Sequence, residues 1–290
     1  MRRALLNIGL SLLIACGGGG RPAPGPLSVT DDAGRTVSVS GPVHRIVSLA
    51  PSSTELLFAV GAGPQVVGRT TWCRYPAAAL AVPVVGDGLD PNIEAVAATH
   101  PDLVVLYRSP SNGTAITQLE QLGITSVVLK QDLLKDVAHD ARLLGTLTAH
   151  QATGDSVAGL LDSLTALPAP PFRARVAIVV WDNPPIVIGG GSYLDELGRL
   201  AGAQNVFHDL PQASATVSLE SIAARNPDYI AVVDDSSASN TPSFARRPEW
   251  RSVRAIREGH ILHLPGTLFG RPSPRAGEAI AIYAHLLNPK

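Results

Sequence analysis

Apolar residues follow two rhythms along this chain. Uninterrupted short runs occur at 45–50 (RIVSLA), 65–68, 103–106 (LVVL), 124–129, 175–180 and 259–264, as in strands buried on both faces. Between them the spacing turns helical: Leu133, Val137, Ala141, Leu144 and Leu147 share one face of a helix over 133–147. Further helices are predicted over 54–60, 118–122, 151–167, 193–201, 248–256 and 276–287, and a small hairpin over 27–39 turns at Asp32-Ala33-Gly34. Strands alternating with helices through short connections predict an α/β fold with parallel sheets.

Prolines and glycines punctuate the pattern. Pro51 ends the first run, and Ser52-Ser53-Thr54-Glu55 has the spacing of a capping box opening the helix over 54–60. Such a helix directs its free N–H groups beyond the strand end. The loops expected at this sheet edge are rich in aromatic and basic residues: Trp72 and Tyr75 in 70–76, Tyr107-Arg108 after 103–106, and Trp181 in 181–185. Pro168, Pro170 and Pro171 close the helix over 151–167, which spans about 25 Å at 1.5 Å per residue.

One segment occurs twice. NIEAVAATHPDLVV at 92–105 returns as SLESIAARNPDYIA at 218–231, with Glu94/Glu220, Ala97/Ala223, Ala98/Ala224, Pro101/Pro227 and Asp102/Asp228 identical. Each copy reads as an N-cap (Asn92, Ser218), two amphipathic turns, a Pro-Asp turn and a strand. The offset, 126 positions from Glu94 to Glu220, is too long for a solenoid repeat and points to a duplicated lobe, hence to a cleft between two lobes. Each glutamate complements the positive end of its helix dipole, or the two form a matched acidic pair for a two-fold partner.

Composition then narrows the compartment and the function class. A formal net charge of −1 without basic runs excludes an electrostatic footprint for nucleic acid. Met1-Arg2-Arg3 followed by apolar residues to Ala15 reads as a secretory signal (1–15), too short to span a bilayer. Leu13-Ile14-Ala15-Cys16 resembles the bacterial lipobox, making Cys16 the expected acylation site, and the Gly/Pro stretch 16–27 a tether. Cys73 is then left without a disulfide partner. No GxSxG elbow is present, and Gly189-Gly190-Gly191-Ser192 lacks the spacing of a phosphate loop. His260 and His263 fall on opposite faces of a predicted strand, which argues against a metal site built from that pair.

In order, DDAGRTVSV, RIVSLAPSSTELLFAVGAG, VVGRTTWCRYP, NIEAVAATHPDLVV, GGGSYLDELGRLAGAQNVF and SLESIAARNPDYI strongly resemble the periplasmic solute-binding proteins of metal-chelate ABC importers, the cobalamin binders above all, with haem and ferric-siderophore binders as near relatives. The resemblance implies two Rossmann-like lobes with parallel-rich sheets, 28–148 and 171–290, bridged by a single long α-helix within 149–170, the class III helical-backbone arrangement. It also implies no enzymatic activity and no cofactor; an exported α/β enzyme is the alternative from another class. The transported ligand would be cobalamin or another metal chelate, with no protein-bound metal, and the partner a dimeric permease with its ATPase subunits. The protein would act as a monomer at the cell envelope, held there by its lipid. By position, Glu94 and Glu220 would dock on the permease. Ser52, Trp72, Tyr75, Tyr107, Arg108, Trp181, Phe269 and Arg271 would face the ligand, with Trp72 and Trp181 opening onto one cavity. Where close relatives carry a Trp shortly before each docking glutamate, this chain has Gly88 and Ser214, a thinner apolar clamp.

Overall fold

The computed structural model describes residues 25–88, 91–235 and 241–288. The signal segment, Cys16 and most of the tether lie outside the described residues. The chain opens with the hairpin β1 (Leu27–Thr30) and β2 (Thr36–Val39). The first lobe follows as β3 (Ile46–Ser48), α1 (Pro51–Ala59), β4 (Val66–Arg69), α2 (Ile93–Ala98), β5 (Leu103–Tyr107), α3 (Gly113–Gln121), β6 (Ser126–Leu129) and α4 (Leu134–Leu147). Its four strands form a fully parallel sheet in the order β4-β3-β5-β6. Side chains alternate across that sheet: Leu103 and Val105 face the core shared with α1 and α4, whereas Val104 and Leu106 face Val96 of α2 and Leu119 of α3. With both faces covered, the strands read as unbroken apolar runs.

The bridging helix α5 (Gln151–Ala166) leads to the second lobe. Its strands and helices are β7 (Ala174–Asp182), β8 (Pro185–Ile188), α6 (Tyr193–Ala201), β9 (Ala203–Asn205), β10 (Ser214–Thr216), α7 (Leu219–Arg225), β11 (Tyr229–Asp234), α8 (Arg254–Arg257), β12 (Ile261–Pro265), α9 (Gly266–Phe269) and α10 (Ala276–Leu286). The sheet order is β10-β8-β7-β11-β12, with β9 beside β7. β7, β9, β11 and β12 are parallel, while β8 turns back on β7 and pairs β10, both antiparallel. The segment read as an aromatic loop at 181–185 is therefore a hairpin, and Trp181 sits on strand β7. Two prolines at its turn disguised the return strand.

One continuous apolar cluster runs from Val37 and Leu57 in the first lobe, through Ala158 and Leu161 of α5, to Val176, Phe269 and Tyr283 in the second. The bridge is thus packed into both lobes, which restricts their relative motion. No described helix is long and apolar enough to cross a membrane.

The duplication survives in three dimensions. Asn92 accepts a hydrogen bond from the Ala95 N–H at 2.9 Å, and Ser218 from that of Ser221 at 3.2 Å. Asp102 accepts from the Arg45 N–H at 2.9 Å at the entrance to β3, and Asp228 from the Arg175 N–H at 2.9 Å at the entrance to β7. Each Pro-Asp turn therefore also fastens the neighbouring strand. That explains why these positions stayed identical between copies.

Candidate functional site

The two lobes face each other across a cavity of about 560 Å³, within the range of small-molecule sites. The first lobe supplies Leu49 to Ser52 from the β3–α1 turn, Trp72 and Gly88 from loops, Tyr107 at the end of β5, and Gln131 and Asp132 after β6. The second supplies Ser192 and Tyr193 at the start of α6, Ala213, and Gly270 to Pro272 after α9. The first lobe's contribution is the carboxyl edge of its parallel sheet, where α/β folds bind ligands because helix N-termini converge there.

Trp72 is 58% exposed and presents a large apolar face. Tyr107 donates its hydroxyl to Asp132 Oδ1 at 2.8 Å, and burial together with that carboxylate pushes the phenol up to about 12. The ring is therefore a fixed neutral wall. Ser52 donates to the Gln131 side-chain oxygen, and Tyr193 to the Phe269 carbonyl, so both are held by second residues that composition alone does not reveal. The N-terminus of α1 opens into the same space without a side-chain cap or an acidic residue in its first turn, which favours an oxygen-rich or anionic group there.

The expected capping box does not form. The helix begins at Pro51, and Glu55, 2% exposed, turns to the second lobe instead. Arg271 Nε donates to Glu55 Oε2 at 3.1 Å, Arg275 Nε to Oε1 at 2.6 Å and the Ser273 hydroxyl to Oε1 at 2.5 Å. Arg271 thus lines the cavity while bound to a carboxylate of the opposite lobe.

Of the predicted ligand-side residues, Ser52, Trp72, Tyr107 and Arg271 line one cavity. Tyr75 instead lies under the Arg275 guanidinium, 3.7 Å from ring centroid to carbon. Arg108 is exposed and outside the lining. Phe269 is fully buried and packs edge-on against Tyr283 at 6.0 Å, a core role; the loop after it, not its ring, reaches the cavity. Trp181 opens onto a different cavity of about 440 Å³, between the end of β7, the end of β11 and residues 241–246. The expectation that Trp72 and Trp181 share one cavity is corrected accordingly: the β7–β8 hairpin carries Trp181 beyond the cleft. Gln131, Asn112 and Tyr193 were missed, since a lone Gln, Asn or Tyr carries no motif.

Glu94 and Glu220 are exposed in the first turns of α2 and α7. Each helix passes through a turn directly into a parallel strand, so its first turn lies beside the carboxyl edge of its own sheet. The Glu220 carboxyl is held below the usual range by hydrogen bonds from its own backbone N–H and from Ser218. The glycines at 189–191 accommodate the backbone of 208–212: a Cβ at Gly190 would lie 2.3 Å from the His208 carbonyl oxygen. That close approach accounts for the run without a phosphate ligand.

The sequence profile described as periplasmic binding protein matches residues 46–268. The chain belongs to the periplasmic binding protein family. It is 26% identical over 244 residues to the vitamin B12-binding protein of Vibrio parahaemolyticus, covering 82% of this chain and 87% of that protein. It is likewise 26% identical over 275 residues to the uncharacterised ABC transporter substrate-binding lipoprotein YvrC of Bacillus subtilis, covering 91% and 86%. The periplasmic haem-binding protein RhuT of Roseiflexus superposes with a TM-score of 0.72 at 22% identity, over 84% of this chain and 97% of that one. The chain is therefore a substrate-binding protein of the ABC-importer type and not an enzyme. The two-lobed, helix-bridged architecture is that of the family.

Proposed function

We propose that this binding protein captures a corrinoid of the cobalamin type in the inter-lobe cavity and hands it to an ABC permease with its ATPase subunits. The observation that carries this reading is a single cavity walled by Trp72 and Tyr107 on one lobe and by Tyr193 and Arg271 on the other. Flat apolar faces suit the macrocycle, and the Arg271 guanidinium and α1 N-terminus suit its carboxamide and phosphate oxygens. The vitamin B12-binding relative supports the choice. A second reading, haem or a ferric siderophore, is favoured by Gly88, which limits the first-lobe apolar wall to Trp72 and Tyr107, and by the Arg271 guanidinium, which would meet a carboxylate or catecholate. Titration of the purified protein with cyanocobalamin, haemin and several ferric siderophores, followed by tryptophan fluorescence, separates these. Saturable quenching by cyanocobalamin alone supports the corrinoid; a response only to haemin or only to a siderophore transfers the assignment.

In this reading 28–148 and 171–290 are the lobes and 149–170 the linker, and Glu94 and Glu220 meet the permease, each from the cleft-side edge of its lobe. Cys16, in a lipobox-like context, anchors a monomer to the envelope through lipid, as the lipoprotein relative supports.

A further inference from the structure

Away from the cleft lining, three potential ligands converge where the β1–β2 hairpin meets α4. One oxygen each of Asp32 and Asp140 and a ring nitrogen of His139 lie within 4.8 Å of one another. Asp32 stands at the hairpin turn and accepts from the Lys130 N–H at 2.6 Å, so its position is fixed. Lys130 turns its ammonium to Asp136 at 3.3 Å and Asp132 at 3.7 Å. Asp140 is 0% exposed, and its carboxylate oxygens have no close hydrogen-bond partner among the described residues; only the Gln131 amide and the Asp32 carboxyl come near them. Beside it Gln131, 2% exposed, spends its side-chain oxygen on Ser52 and Ser53 and leaves Nε2 unpartnered.

A buried carboxylate without a partner is costly, and a second carboxylate next to it raises the cost. A dication removes both penalties at once and gives His139 a role on an otherwise exposed surface. We propose that Asp32, His139 and Asp140 bind one divalent transition-metal ion. Two carboxylates and an imidazole suit Zn²⁺ or Mn²⁺, whereas Ca²⁺ and Mg²⁺ favour all-oxygen shells. The ion clips the N-terminal hairpin to α4 and stands one residue, Gln131, behind the Ser52 wall of the cleft.

The test uses untagged, EDTA-treated protein titrated calorimetrically with ZnCl₂, MnCl₂ and CaCl₂, with melting curves in parallel. The expected result is one equivalent of Zn²⁺ or Mn²⁺, a melting point raised by several degrees, and Ca²⁺ bound more weakly. His139→Ala, which removes an exposed side chain and spares the core, and Asp32→Asn should each weaken binding by at least about tenfold. The proposal is overturned if neither transition metal binds, if Ca²⁺ is preferred, or if both variants bind as the wild type does.

Discussion

Glu55 of the first lobe and Arg275 of the second are joined by a hydrogen bond of 2.6 Å between Oε1 and Nε, and the same guanidinium covers the Tyr75 ring of the first lobe. Arg271 and Ser273 complete the grip on Glu55. A buried carboxylate thus pins the two lobes together beside the cavity, while α5 pins them at the back. Guest entry must work around that contact, and the cavity wall at Arg271 inherits its rigidity.

Glu55→Gln keeps the side-chain shape and removes the charge shared by the two arginines. Breaking a buried pair costs about 3–5 kcal/mol; because Arg271 and Arg275 retain 16% and 19% side-chain exposure, a loss of about 1–3 kcal/mol is expected here. Urea unfolding measures it, and an unchanged midpoint would show that the latch contributes nothing. Arg271→Ala should lower stability and guest affinity together.

The three tryptophans occupy three environments: Trp72 in the cleft, Trp181 in the second cavity and Trp250 in the core, 1% exposed. Trp72→Phe should abolish most ligand-induced quenching and Trp181→Phe should preserve it. Trp72→Ala should weaken binding about 10- to 100-fold, the range for a central aromatic anchor. Quenching that survives in Trp72→Phe and disappears in Trp181→Phe would move the guest to the other cavity.

How much of this was readable in the chain follows from the range of each interaction. The N-caps Asn92 and Ser218 and the Pro-Asp turns act within a few residues, so the duplicated helix, turn and strand were legible. Glu55 has the spacing of a local cap but bonds to residues 216 to 220 positions later, and no local pattern announces such a partner. Phe269 is placed at the ligand only by the resemblance, as a residue of an expected loop, yet it ends a short helix and its ring is claimed by Tyr283 on α10. The β7–β8 hairpin was hidden by Pro184 and Pro185, and with it the true direction of Trp181. Asp140 fell on the apolar face of a well-predicted helix, where periodicity sees only an exception.

Gly88 lies against the backbone: a Cβ there would stand 2.9 Å from the Leu49 carbonyl oxygen. Gly88→Ala should therefore shift the β3–α1 turn, costing about 1–3 kcal/mol of stability and weakening guest binding. Thermal melts together with the fluorescence titration report both effects. A larger side chain at 88 would not restore an apolar wall without moving that turn.

Glu94→Ala combined with Glu220→Ala should leave guest affinity within about twofold and reduce uptake in cells, because exposed charges steer encounter more than they stabilise a fold. Wild-type uptake in reconstituted vesicles should fall as ionic strength rises, and the double variant should lose most of that salt dependence. A collapse of guest affinity would place both residues in the cleft and remove the docking role.

The most direct measurement is hydrogen–deuterium exchange of the purified protein with and without saturating cyanocobalamin. A guest held between the lobes slows exchange on both sides of one cavity, at 49–52 and 107–112 in the first lobe and at 192–193 and 270–272 in the second. No change, or slowing confined to 179–182, 232–234 and 241–246 around Trp181, would contradict it.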